Sequence, residues 1–297
     1  MTSPTLPASS PLDALTPALR RQLHAHCARM VGSTFEGEDV LQDALLKAHE
    51  AAAVMKHPIL NPGGWLFRIA HNTALDHLRQ RRHDPIALDS GMDTDLVPST
   101  EPAAERRWAV QASLRVFTLL PPLQRAAVIL ADVLGYSLEE TAAILDRSLP
   151  AAKSALSRGR RRLQEIAAAP PPPVREPPRS EEHFMERVRE YAERFNARDF
   201  DGLREMLAED VRTEVVAAAQ SEGRDAVANR YFRNYAATPG WHAQAALVDG
   251  VPAIVVREEG RPSYFIVLRC RPDGAVCSIR DFRHTGYDCG AAAIRVL

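Results

Sequence analysis

The sequence predicts a multidomain chain: two all-helical domains, the second carrying a helix-turn-helix, followed by an α+β domain. Three observations predict it. Apolar residues recur at helical spacing in blocks as far as Glu165, whereas beyond Trp241 they fall in short runs separated by Asp-Gly, Glu-Gly and Pro-Asp-Gly turns. Two aperiodic stretches, one acidic over 84–107 and one proline-rich over 167–180, separate the blocks. A length of 297 residues suits two or three domains of ordinary size. The expected boundaries are therefore a disordered N-terminus over 1–14, helical domains over 15–83 and 108–166, and the α+β domain over 181–297.

The formal net charge of -1 conceals a local gathering of basic residues, which matters more than the total for a nucleic-acid partner. Cys27, Cys270, Cys277 and Cys289 have no Cys-x-x-Cys spacing, which argues against a zinc knuckle or a secreted disulfide framework and predicts reduced thiols. No metal or cofactor is expected. No apolar run approaches the roughly 18 residues of a membrane span, and the first residues lack a basic region followed by an apolar core. A cytoplasmic protein with no membrane partner is expected.

In chain order, Leu19, Leu23, Cys27 and Met30 mark a first helix over about 15–30, with His24 and His26 as structural residues on it. Gly37 to Glu50 reads as a second helix whose Val40, Leu41, Leu45 and Ala48 pack and whose Asp39, Gln42 and Asp43 face outward. After a Gly63-Gly64 breaker, Phe67, Ala70, Ala74, Leu75 and Leu78 line one face of a third helix. Arg68, Asn72, Asp76 and Arg79 line another, and Arg79, Arg81 and Arg82 crowd its last turn, where guanidinium groups suit phosphates.

The 84–107 tether gathers Asp89, Asp93, Asp95, Glu101 and Glu105. Beyond it, Pro121-Pro122 opens a helix with Ala126, Ile129, Leu130 and Val133 on its buried face and Gly135 at its end. Ser137-Leu-Glu-Glu140 is a capping box for a short helix over Leu138–Leu145. Asp146-Arg147-Ser148 forms the turn, and a basic helix follows from Leu149 to Glu165. A capped helix, a tight turn and a basic helix place one helix in a major groove, with Lys153, Ser154 and Arg158 facing bases and Arg160 and Arg161 facing phosphates.

The order Asp39-x-x-Gln42, then Trp65-Leu-x-x-Ile-Ala-x-Asn72-x-x-x-Asp76-x-x-Arg79, resembles the second conserved region of bacterial sigma factors of the extracytoplasmic-function group. The resemblance implies that Asp39, Leu41, Gln42 and Leu45 serve docking on the clamp of core RNA polymerase. It also implies that Asn72, Asp76, Arg79, Arg81 and Arg82 engage the melted downstream promoter element. Residues 108–166 resemble the fourth region of the same factors, which reads the upstream element and meets the polymerase flap. Asp146 stands where that family usually has Gly and Ala152 where Val or Thr is common; Asp tolerates a left-handed turn, so the turn is expected to survive.

Residues 181–297 open with Phe184, Val188, Tyr191 and Phe195 on one helical stripe, then a helix carrying Leu203, Met206 and Leu207, then one over about 225–235. Strands are expected over 241–248, 253–257, 263–270 and 275–282, as a curved antiparallel meander. The run Phe195-Asn-Ala-Arg-Asp-Phe-Asp-Gly-Leu-Arg-Glu-Met-Leu-Ala-Glu-Asp-Val211 resembles the opening of a SnoaL-like cone-shaped domain, a fold of cyclases, isomerases and noncatalytic modules. Asp210, His242, Asp281 and His284 are its acid or base candidates, although fold does not imply chemistry. The expectation is an alternative sigma factor, not an enzyme, with promoter DNA and core polymerase as partners and the cone acting in cis. A separate anti-sigma protein and a small ligand of the cone are left open as further partners. Two other readings remain: a cyclase or isomerase tethered to a DNA-binding module, and a DNA-binding regulator that works without polymerase.

Overall fold

The computed structural model describes residues 11–55, 59–81, 114–168, 179–285, 289 and 292–297. Residues 1–10 of the expected disordered N-terminus, the whole acidic tether and all but the ends of the proline-rich one lie outside the described residues; over 11–14 that expectation is corrected, because Pro11–Ala14 form a 3-10 turn whose Leu12 packs against the helical core. The chain forms two compact units that divide between Pro171 and Pro172. No helix among the described residues is long and apolar enough to cross a membrane.

The first unit is all-helical. Helix α1 (Pro17–Val31) starts where the Thr16 hydroxyl accepts from Leu19 N, with proline at its first position, and ends at Gly32 in the left-handed conformation, φ 84°. Helix α2 (Thr34–Val54) begins earlier than the sequence suggested. Ser33 caps it by accepting from Glu36 N, so Gly37 lies inside the helix, where the α1 backbone at Ala28 leaves no room for a side chain. Helix α3 (Pro62–Arg81) also absorbs its expected breaker. Asn61 Oδ1 accepts from Gly64 N at 2.9 Å, and both glycines occupy the first turn.

Helix α4 (Leu114–Phe117) and helix α5 (Pro122–Val128) follow, and α5 continues into a π turn over Ile129–Val133 that the sequence pattern did not announce. Helices α6 (Leu138–Leu145) and α7 (Leu149–Ala168) complete the unit. One apolar core runs through all of it, joining Leu23, Met30, Phe67 and Ala70 to Phe117, Ile129, Ile144 and Leu156.

The second unit packs helices on a seven-stranded sheet of order β2-β1-β6-β5-β4-β3-β7. Helices α8 (Arg179–Asn196) and α9 (Phe200–Glu205) lead into β1 (Leu207–Val215) and β2 (Ala219–Glu222). Then come α10 (Arg224–Val227), a π-helical segment over Ala228–Phe232, and α11 (Arg233–Ala237). The meander β3 (Trp241–Val248), β4 (Val251–Glu258), β5 (Arg261–Cys270) and β6 (Val276–Asp281) ends with the short edge strand β7 (Ile294–Val296).

Asp249-Gly250 and Glu259-Gly260 both hold positive φ, the type I′ geometry that matches strand twist, so the two tight hairpins fall where the turn residues placed them. Two expectations are corrected. Leu207 begins a strand and does not sit on a helix, and β1 runs parallel to β6, so the sheet is not wholly antiparallel. The edge strands β2 and β7 were not foreseen, because four and three residues are too short to show alternation.

Three histidines of the first unit, His24, His26 and His71, are held neutral by burial. His24 Nε2 lies 3.0 Å from Thr34 O and its pKa falls to about 4; that of His71 also falls to about 4, chiefly through desolvation and then through the charge of Arg147. His26 is fully buried against Phe67 and His71, and neither of its ring nitrogens has a hydrogen-bond partner. Burial pushes its pKa well below the usual range. The unfolded chain takes up these protons below about pH 6.5, while the native state refuses them until far lower pH. Stability therefore falls as pH drops from about 6.5 toward 4, by up to about 1.4 kcal/mol per pH unit for each group. Burial raises the Glu38 carboxyl, which acts with the opposite sign. Urea unfolding followed by far-UV circular dichroism at pH 7 and pH 5 is expected to show a smaller loss of stability on acidification for His26→Leu than for the native chain. At pH 7 the variant should be at least as stable, since two unpartnered buried nitrogens are gone.

Candidate nucleic-acid interface

The α2 surface divides more sharply than its pattern suggested. Leu41 is fully buried, so it supports the surface from beneath and cannot itself meet a partner. Asp39, Gln42 and Leu45 are half-buried, whereas Asp43 and Leu46 are exposed. The Gln42 amide donates to Glu38 Oε1 at 3.2 Å, and Glu38, itself buried, is held by Arg20 at 2.5 Å. Gln42 is thus presented by a hydrogen bond from below. Sequence reasoning passed over Leu46, although of two adjacent leucines on a helix only one can face the core.

On α3, Asn72 and Arg79 are exposed and Asp76 is half-buried. Asp76 pairs with Arg79 at 3.0 Å and with Lys47 of α2 at 3.6 Å, a surface network of small net worth that fixes where these side chains point. Arg81 ends the helix, and its side chain, like the whole of Arg82, lies outside the described residues.

The helix-turn-helix is built as its punctuation dictates. Ser137 and Glu140 exchange both capping-box hydrogen bonds, 3.1 and 2.9 Å. Asp146 takes the left-handed conformation at φ 54°, ψ 51°, closing α6 where a glycine would be ordinary. Helix α7 buries Ala152, Ala155, Leu156, Gly159 and Leu163 and leaves Lys153, Arg161 and Arg162 exposed, with Ser154 and Arg158 half-buried. Gly159 is a contact point, since a Cβ there would lie 2.6 Å from Val128 Cγ2 and 3.0 Å from Gln124 O.

Arg160 is the correction. Its guanidinium makes a bidentate pair with Asp132, Nε to Oδ2 at 2.9 Å and Nη2 to Oδ1 at 2.6 Å, and the Asp132 side chain is almost fully buried. A guanidinium committed in this way holds α7 against the π turn, with its bidentate edge turned inward to a carboxylate. Sequence spacing could not reveal it, because the π turn that aims Asp132 adds a residue to the helical period.

In the second unit, three of the four acid or base candidates sit on the surface: Asp210, paired with Arg271, His242 and His284. Only Asp281 is interior. Its Oδ2 accepts from the Tyr235 hydroxyl at 2.6 Å and its Oδ1 from Arg283 N at 2.9 Å, with Tyr264 OH 3.1 Å from Tyr235 OH. Burial raises the Asp281 carboxyl, opposed by Tyr235 and Arg283. Among the described residues no three His, Cys, Asp or Glu side chains converge as metal ligands would.

Residues 17–83 match the family Sigma-70 region 2, residues 114–163 match Sigma-70 region 4, and residues 188–265 match the SnoaL-like domain. The ECF RNA polymerase sigma factor SigM of Mycobacterium tuberculosis is 36% identical over 155 residues, spanning 52% of this chain and 76% of the relative. The chain belongs to the ECF RNA polymerase sigma factors. SigG of the same organism is 30% identical to this sigma factor over 226 residues, 66% of the chain and 58% of the relative. Among solved structures, the M. tuberculosis extracytoplasmic function sigma factor SigJ is 24% identical and covers 92% of this chain and 98% of its own, with a TM-score of 0.36. In this sigma factor, region 2 corresponds to α1 through α3 and region 4 to α4 through most of α7.

The division of labour on α7 is testable. Arg160→Ala strands a buried carboxylate and is expected to cost about 3–5 kcal/mol in urea unfolding. Arg161→Ala should leave stability within about 0.5 kcal/mol of native and instead lower the salt slope of DNA binding by about one. Equal unfolding midpoints for the two variants would remove the positioning role of Asp132 and Arg160.

Proposed function

We propose that this chain is an alternative sigma factor that binds core RNA polymerase, recognises two promoter elements and initiates transcription at a specific set of genes. The observation that carries the reading is that region 2 and region 4 sequences lie in one chain, the second folded as a capped helix-turn-helix with exposed cations on its second helix. Asp39, Gln42 and Leu45 of α2 contact the polymerase clamp, with Leu41 beneath them. Asn72, Asp76, Arg79, Arg81 and Arg82 meet the downstream element, and Lys153, Ser154, Arg158 and Arg161 the upstream one. Work with polymerase and promoter places the protein in the cytoplasm.

The SnoaL-like unit acts as a noncatalytic regulator in cis. Supporting this, three of its four acid or base candidates are surface groups, and both oxygens of Asp281 accept from the chain itself. A free carboxylate base would need at least one oxygen turned toward a substrate.

Asp39→Arg combined with Gln42→Ala is expected to abolish co-purification with core polymerase while leaving the unfolding free energy within about 1 kcal/mol of native, because both side chains are only half-buried. Run-off transcription with purified core polymerase should fall in parallel. Unchanged co-purification would remove α2 as the docking helix, and a native chain that supports no run-off transcript would remove the sigma reading itself.

A further inference from the structure

Cys270 and Cys277 stand together on neighbouring strands of the second unit. Strands β5 and β6 pair with Arg269 opposite Ser278 and Cys270 opposite Val276, so Cys277 is the extra residue of a β-bulge. In a bulge two residues of one strand oppose a single residue of the other, here Val276 and Cys277 against Cys270. Residues opposed in an antiparallel pair stand about 4.5–5.5 Å apart at Cα, inside the roughly 4.4–6.8 Å that a disulfide spans. The Cys277 Sγ already reaches across the ladder, 3.4 Å from Arg269 O, the carbonyl bonded to the Cys270 nitrogen. Both cysteines are half-buried, whereas Cys27 and Cys289 are buried.

The two sulfurs have different surroundings. Cys270 packs against the apolar core of the unit, and burial pushes its thiol up to about 11. The Arg187 guanidinium draws it down, while Cys277 and Asp273 lie near enough to oppose its ionisation. Arg187 also donates from Nε to Gly274 O at 3.1 Å, which ties α8 to the turn that joins the two strands. That turn is closed by hydrogen bonds from Arg271 N to Ala275 O and from Gly274 N to Arg271 O, each 2.9 Å, so the cysteine-bearing strand ends are held in register.

We propose that Cys270 and Cys277 form a dithiol site that small hydroperoxides oxidise to a cross-strand disulfide. The Cys277 thiolate attacks the terminal peroxide oxygen, the O–O bond breaks, and a sulfenic acid forms while the other oxygen leaves as alcohol, or as water from hydrogen peroxide, with the proton the thiol gave up. The Cys270 sulfur then attacks the Cys277 sulfur. The S–S bond forms, the S–O bond breaks, and hydroxide departs with the Cys270 proton as water. Two thiols lose two electrons in all, and one hydroperoxide is reduced. Cys277 is the point of entry because burial keeps Cys270 protonated. A small oxidant is required because both sulfurs lie half-buried in a paired ladder that a bulky disulfide cannot enter. The product ties β5 to β6 beside the turn that accepts from Arg187, and so stiffens the place where α8 meets the sheet. The assignment is independent of the sigma-factor reading above.

The experiment treats the full chain with hydrogen peroxide, unfolds it in an alkylating agent and digests it with trypsin. Trypsin does not cut Arg271-Pro272, so residues 270–280 emerge as one peptide holding both cysteines. That peptide should be unalkylated and lighter by two hydrogens, and dithiothreitol should restore it, while Cys27 and Cys289 are alkylated in full. In glutathione buffers the disulfide should be favoured about tenfold more in the folded chain than in concentrated urea, because the bulge holds the thiols at bridging distance. Cys270→Ser should leave Cys277 as a sulfenic acid that dimedone labels, and Cys277→Ser should leave Cys270 unoxidised. A 270–280 peptide that gains oxygen without losing hydrogens, or a disulfide favoured no more in the folded chain than in urea, would overturn the site. Dimedone on Cys270 in Cys277→Ser, with none on Cys277 in Cys270→Ser, would overturn the order of attack. The peptide mass and the glutathione comparison use the native chain, so they decide the site whatever either substitution does to the fold.

Discussion

A guanidinium with no water around it must find acceptors, and the first unit is arranged around one that does. Arg125 directs its donors to three main-chain carbonyls, of Met30, Thr118 and Leu120. Those carbonyls belong to the end of α1 and to the turns around α4, where helices leave their last C=O groups without partners. The side chain thus satisfies chain ends that the fold would otherwise expose to an apolar core. In doing so it makes two helical segments, separated by residues 82–113, share one interior. An apolar residue could fill the space but could not answer the three carbonyls.

Much of this was legible in the residues. The capping box at Ser137, the helix bounds Leu138–Leu145 and the left-handed Asp146 follow from short-range chemistry that needs no knowledge of the rest of the chain. The two type I′ hairpins are legible for the same reason. What escaped was set by tertiary partners. Arg125 drew no expectation from the sequence, and Arg160 reads there as one more member of a basic face; only packing shows that each is committed inward. Strand β1 escaped because Leu203, Met206 and Leu207 keep helical spacing across the point where α9 stops. His26 reads correctly as a structural residue, but that both of its ring nitrogens are buried without a partner has no local signature.

The second unit shows the same contrast in its interior. Tyr235, Tyr264 and Arg283 gather about Asp281, and Phe195 packs on Tyr235 and Trp241 at centroid distances of 4.6 and 4.5 Å. A carboxylate buried with a hydroxyl, a backbone N–H and a guanidinium 3.6 Å away is a self-sufficient polar cluster. It fixes how β6 meets the helical segment that carries Tyr235. Asn196 does similar work at the other end, where its amide both donates to Ala243 O and accepts from Ala243 N at 2.8 Å, pinning α8 to β3.

The π turn at Ile129–Val133 sets the phase of α7 relative to the body beneath it. A residue within it is effectively an insertion, and deleting one would return α5 to regular α-helical winding. Everything after the deletion would then rotate by about 100° about the helix axis. Asp132 and Arg160, both beyond a deletion at 129–131, would be carried round together, and the close seat of Gly159 on Gln124 and Val128 would be lost. A single-codon deletion there would therefore act less as a truncation than as a change of gearing, shifting the angle at which α7 is offered.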